Sequence, residues 1–243
     1  MNSTRTSLMT SRSLVLLLGL AVSPFTAFAI AFPGPTSCLL VSASGASDQS
    51  ATSFSSDDAT TNQSTSQQLL DEARKRIEST FGKPAASPIV VFLGSSNRIG
   101  PFRLNAYGST QFVGTRTCVM IGTKGRSVDV LAHELMHAEL YQRVGPLTYF
   151  LEVPTWFDEG VAMQVDWRDR YALGSDAAAD LPRVRELTTP SQFFVADDAA
   201  LTLHYALAKY EVAKWLSLVG RDSLYSQFAR LRSGEALAEV LIP

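Results

Sequence analysis

Histidine and cysteine, the side chains that most often hold a transition metal, are scarce in this chain: three of one and two of the other among 243 residues. With only Cys38 and Cys118 present, no cysteine-based zinc site can be assembled. A surplus of either charge is also missing. The 21 basic and 23 acidic residues leave a formal net charge of −2, which removes the electrostatic case for a nucleic-acid partner. No skew in composition indicates a fibre or a wholly disordered chain. The hydrophobic share of 46% is that of an ordinary globular protein, and the length suits one large domain or two small ones.

The N-terminus reads as a targeting segment. Arg5 and Arg12 precede the apolar run Leu14 to Val22, followed by Pro24 and by Ala27-Phe28-Ala29, a small-residue pattern suited to cleavage after Ala29. Residues 1–29 are therefore expected to be an export signal. A membrane enters only if the segment stays uncleaved, since apolar character continues raggedly to Phe32 and approaches the ~20 residues a bilayer needs. Removing Arg5 and Arg12 leaves 19 basic residues against 23 acidic ones, a net −4. Residues 30–66 are expected to be a disordered linker. Fifteen of the 31 positions from 36 to 66 are Ser or Thr, a composition that buries too little apolar surface to offset its ordering entropy. Cys38 falls in this tail and Cys118 in an apolar strand-like run. They could pair in an oxidising compartment, but the favoured reading is a small buried side chain at Cys118 and an unimportant Cys38.

The folded unit is expected over 67–243. Thr65 and Gln68 form a plausible capping box ahead of Leu69, Ala73 and Ile77 at helical spacing, closed by Gly82 and Pro84. Ile89 to Leu93 reads as a buried strand, and the stretches Tyr107 to Val113 and Thr117 to Ile121 as further strands punctuated by Gly114 and Gly122. An exposed edge here could pair with an extended peptide. A central helix runs from an N-cap at Ser127 to about Arg143, before Gly145-Pro146, and another starts at Pro154 or Thr155. The C-terminal part reads as helices over Ala199 to Val219, Ser223 to Leu231 and a short stretch through Leu241, after a less regular stretch from Asp166 to Asp198 whose arginines are assigned to solvent. The expected fold class is α+β: a small antiparallel or mixed sheet packed on the central helix, followed by a mainly helical C-terminal subdomain.

Chemistry concentrates in His133-Glu134-Leu135-Met136-His137. Two histidines four apart on a helix project from successive turns of one face and can converge on one cation. Glu134 points off the ligand axis yet stays within reach of a water held by that cation, where a general base belongs. A catalytic zinc needs a third protein ligand and an open position. Leu140 and Arg143 stand where a metzincin would need glycine and histidine, so that solution is excluded; Glu159, Asp158 and His204 remain as candidates.

The pentapeptide together with Trp156-Phe157-Asp158-Glu159-Gly160-Val161-Ala162 resembles the gluzincin zinc peptidases, whose second helix reads Trp-x-x-Glu-Gly-x-Ala. Thermolysin relatives, zinc aminopeptidases and peptidase MA-like domains belong there, and the resemblance spans most of residues 87–243. It implies Zn2+ held by His133, His137 and Glu159, Glu134 as base, and Asp158 in a position to orient a ligating histidine. Tyr205, fifteen residues before Gly220, resembles the tyrosine that stabilises the oxyanion, with His204 as second choice. The activity implied is hydrolysis of peptide bonds in exported proteins or peptides. Residues 94–116 carry no Gly-x-Met-Glu-Asn-type segment of the aminopeptidases, which favours internal cleavage over N-terminal trimming. Two alternatives stand beside this one: an envelope binding or assembly module that keeps the metal without turnover, and an aspzincin-like hydrolase with Asp158 as ligand.

Overall fold

A computed structural model describes residues 33–43, 51–54, 61–94, 96–99, 102–173 and 181–242. The expected export signal over 1–29 lies outside them.

Two strands run parallel to a third at the centre of the molecule, and a fourth turns back against it. Strands β1 (Ala51–Phe54), β2 (Ile89–Leu93), β5 (Gly108–Val113) and β6 (Arg116–Ile121) form a mixed sheet in the order β1-β2-β6-β5. β1, β2 and β6 are parallel, and β5 is antiparallel to β6 with Gly108 opposite Ile121 and Val113 opposite Arg116. The short strands β3 (Arg98–Ile99) and β4 (Phe102–Arg103) pair separately. β2 and most of β6 are buried on both sides, so their near-continuous apolar sequences suit a doubly covered sheet. Among the described residues β5 pairs only with β6, which leaves its other edge open, as the expectation of an edge strand requires.

One face of the sheet, with Val90, Phe92, Val119 and Ile121, packs against helices α2 (Thr61–Phe81) and α3 (Val128–Val144). After α3 come α4 (Pro146–Glu152), α5 (Thr155–Ala162), a 3-10 turn at Asp169–Tyr171, α6 (Leu181–Val184), α7 (Pro190–Phe193), and then α8 (Asp198–Val219), α9 (Leu224–Arg232) and α10 (Leu237–Val240). This is the expected α+β fold with a helical C-terminal part. α2 begins four residues before Thr65, so no capping box forms there. Gln67 and Gln68 instead hydrogen-bond Asp71 and Glu72 one turn on, and the buried stripe is Leu70, Ala73, Ile77 and Phe81.

The opposite face overturns the linker expectation for residues 30–66. Within that range α1 (Pro33–Ala43) covers Ile89, Val91, Leu93, Cys118 and Met120 with Cys38 and Val41, and Cys38 is joined to Cys118 by a disulfide. Both cysteines are fully buried and joined, so the reading of Cys38 as an unimportant residue of a flexible tail fails as well. The physical reason is that α1 gets its order from the sheet and from a covalent link, neither of which a local composition count can register. The rest of the expected linker, apart from β1 and the start of α2, lies outside the described residues. Among the described residues no helix is long and apolar enough to cross a membrane, and the disulfide is compatible with an oxidising compartment.

Candidate metal centre

α3 begins where the sequence says. The Ser127 hydroxyl accepts from the Val130 amide at 3.2 Å, Asp129 lies in the first turn and Arg143 in the last, and Gly145 ends the helix at φ 86° with its N–H bonded to the Tyr141 carbonyl. From Val130 to Tyr141 every side chain is buried, so the two histidines face the interior. α5 starts without a side-chain cap: the Thr155 and Trp156 amides donate to the carbonyls of Thr188 and Leu187. It crosses α8 at Gly160, where there is no room for a side chain. That crossing presents Glu159 to the open side of His133 and His137.

The three donor atoms converge. His133 Nε2 and His137 Nε2 are 3.1 Å apart, and Glu159 Oε2 lies 3.2 Å from the first and 3.6 Å from the second. Ligand atoms at zinc-type bond lengths in a tetrahedral shell are about 3.3 Å apart, so this triangle has the size of one face of such a shell. Glu159 Oε2 has no hydrogen-bond partner although it is buried, as expected of an atom reserved for a cation. His133, His137 and Glu159 thus form a buried group that could hold a metal ion, and their chemistry fits one.

The surroundings reinforce that fit. Glu134 and Asp158 lie beside Glu159, which places three carboxyl groups around two imidazoles. Burial works against a charged His137, yet Asp158, Glu159 and Glu134 outweigh it and raise its pKa to about 10. The excess of negative charge is what a cation would neutralise. Asp158 is not a ligand. Its Oδ1 lies 2.7 Å from His137 Nδ1, the ring nitrogen facing away from the triangle, and Tyr149 donates its hydroxyl to the other carboxylate oxygen at 2.5 Å. Asp158 thus sits behind the His137 ring, where the sequence reading expected an orienting residue, and outside the converging donor group of His133, His137 and Glu159.

Glu134 lines the same cleft as His133 and Tyr205, a cavity of about 260 Å³. Burial pushes its carboxyl pKa upward against the pull of His133, His137 and Thr110. The Thr110 hydroxyl on β5 sits 2.9 Å from Glu134 Oε2 and 2.8 Å from the Glu134 carbonyl. Gly108 on the same strand leaves the room Glu134 occupies: a methyl there would fall 2.7 Å from Oε1 and 2.9 Å from Cγ. The Tyr205 ring stands 6.1 Å from the His133 ring. Burial, then Glu159 and Glu134, raise its pKa further, so it remains a proton donor. His204 lies outside the cleft, with Nδ1 2.8 Å from the Phe193 carbonyl and its ring against Phe193. Of the two sequence candidates Tyr205 is the one brought to the metal group.

Gly108, Thr110 and Tyr149 escape the sequence reading. A glycine at the start of a strand signals a close approach, which was the available cue for Gly108. Nothing local marks Thr110 or Tyr149. No protein family and no curated protein matches the chain, so the functional reading depends on the side chains just described.

Proposed function

We propose that this protein is an exported zinc-dependent hydrolase of peptide bonds, of the gluzincin type its motifs resemble. The observation that carries the reading is Glu134: it lines the cleft beside the donor triangle without joining it, a placement that a purely structural metal group does not need.

His133, His137 and Glu159 would hold the cation, which when bound supplies a Lewis acid and an acidified water. Glu134 accepts the proton of the attacking water and passes it to the leaving amine, while Thr110 fixes the orientation of its carboxylate. Tyr205 donates to the oxygen on which charge develops as the carbonyl is attacked. Asp158, itself held by Tyr149, keeps the His137 ring turned with Nε2 towards the triangle. The open edge of β5 supports binding of an extended substrate by strand addition, beginning at Gly108 in the cleft wall.

The test is Glu134→Gln. The variant should retain one zinc per chain by elemental analysis and lose cleavage of an unstructured peptide library by at least about a hundredfold. Cleavage at the wild-type rate would defeat the mechanism. Zinc bound stoichiometrically by both proteins with no cleavage by either would favour a metal-holding envelope module.

A further inference from the structure

We propose that the outer end of the cleft is a carboxylate-binding subsite centred on Arg170, selecting substrates with an acidic side chain or a free terminal carboxylate near the bond to be cut. The proposal rests on the hydrolytic reading for its substrate, but the subsite is argued from the wall itself.

The cavity that contains His133, Glu134 and Tyr205 extends to Arg168, Arg170, Tyr171, Phe194, Asp198 and Thr202. A chain of ring contacts connects the two ends. Tyr205 lies 6.1 Å from His133, Tyr171 lies 5.5 Å from Tyr205, and the Arg170 guanidinium stands 5.1 Å over the Tyr171 ring. The 3-10 turn brings two cations to this wall, and their circumstances differ. Arg168 grips Asp166 with Nε and Nη2, at 2.9 Å and 2.5 Å to its two oxygens, and the Asp166 side chain is fully buried. That charge is neutralised within the fold.

Arg170 is not committed in this way. Among the described residues only its Nη2 is engaged: it donates to the Thr202 hydroxyl at 2.8 Å and lies 3.4 Å and 3.5 Å from the Asp198 oxygens. The ion pair is long at 3.4 Å, and with Asp198 88% exposed and Arg170 45% exposed it is open to solvent screening. Nη2 carries a second hydrogen beside the one given to Thr202, and with Nε or Nη1 it can form the two-pronged contact that guanidinium makes with a carboxylate, once the incoming carboxylate displaces Asp198. Asp198 adds a filter. Its charge beside the subsite disfavours a dianion such as a phosphate and tolerates a monoanion that can displace it.

The experiment uses the zinc-loaded full chain carrying Glu134→Gln, so that binding is measured without turnover, alongside the wild-type protein for cleavage. Three matched peptides are compared: an amidated peptide with internal glutamates, a neutral peptide with a free terminal carboxylate, and a neutral amidated peptide. One or both carboxylate-bearing peptides should bind about tenfold more tightly than the neutral amidated one, the scale of one charge-assisted contact at a half-exposed site. The first two peptides separate side-chain from terminal recognition. Arg170→Glu should abolish the carboxylate preference and favour a fourth peptide in which lysines replace the glutamates, and Asp198→Asn should strengthen carboxylate binding. Equal binding of all three peptides, or a carboxylate preference that survives Arg170→Glu, overturns the subsite. Cleavage without that preference leaves the hydrolase reading intact and removes this one. Arg170-dependent binding with no cleavage by the wild-type protein does the reverse.

Discussion

Replacing Gly160 by alanine would place a methyl group 2.6 Å from the Ala208 carbonyl oxygen and 2.6 Å from Val212 Cγ2, on the line where α5 crosses α8. Val212 is a side chain that can turn, but the Ala208 carbonyl is backbone inside a 22-residue helix and can yield only if the two helices separate. Ordinary contacts of this kind start near 3.4 Å, so the crossing must open by up to ~0.8 Å. Overpacking of this kind costs about 2–3 kcal/mol, which for a chain of this size lowers the melting temperature by roughly 5–10 °C. Gly160 follows Glu159, so the same displacement moves one donor of a triangle whose sides are 3.1, 3.2 and 3.6 Å. Zinc affinity should fall at least about tenfold. Thermal unfolding of the metal-free protein and competition with a coloured chelator measure the two effects separately. A metal-free Gly160→Ala protein that melts within about 2 °C of the wild type would refute the reasoning, because the crossing would then have room that the geometry denies.

Gly108→Ala should push Glu134 out of its place and lower kcat/KM about a hundredfold while zinc content stays stoichiometric; simultaneous loss of the metal would assign the glycine to the fold instead. Tyr149→Phe removes the hydroxyl that holds Asp158, and zinc affinity should drop about tenfold or more, with an unchanged affinity showing that Asp158 orients His137 unaided. Glu159→Ala should abolish stoichiometric zinc binding while Asp158→Ala only weakens it; the opposite order would return the aspzincin alternative. Changing Cys38 and Cys118 together to serine should cost about 2–5 kcal/mol in chemical denaturation, since the link closes a loop with a sequence separation of 80.

What could be read in advance, and what could not, divides along physical lines. The boundaries of α3 and α5 are written in local chemistry: Ser127 as cap, Gly145 at positive φ, and prolines at the turns. The histidine pair needs only helical periodicity to converge, and Glu159 needs only that the short helix α5, 22 residues on from His137, return alongside α3. Tyr205 was picked out by the family resemblance, from its place fifteen residues before Gly220, and no local periodicity marks it. Features that depend on partners distant in the chain stay hidden. α1 owes its order to Cys118 and to the back of the sheet, and Thr110 meets Glu134 only because β5 runs beside α3. Arg168 and Arg170 look alike in sequence and were both given to solvent. A buried Asp166 under one and an exposed Asp198 beside the other make them different groups.

The disulfide described above also makes a covalent ring of residues 38 to 118. That ring threads through β1, α2, β2 and β5 before it closes in β6. A protease that cuts one peptide bond anywhere inside it does not release a fragment. The nicked molecule keeps both pieces, migrates as one band without reductant and as two with it, and still has α1 fastened across the sheet behind the donor triangle. Damage in this third of the protein therefore goes unseen in a non-reducing gel, and a preparation can be cut without a break in the segment that carries the donor triangle.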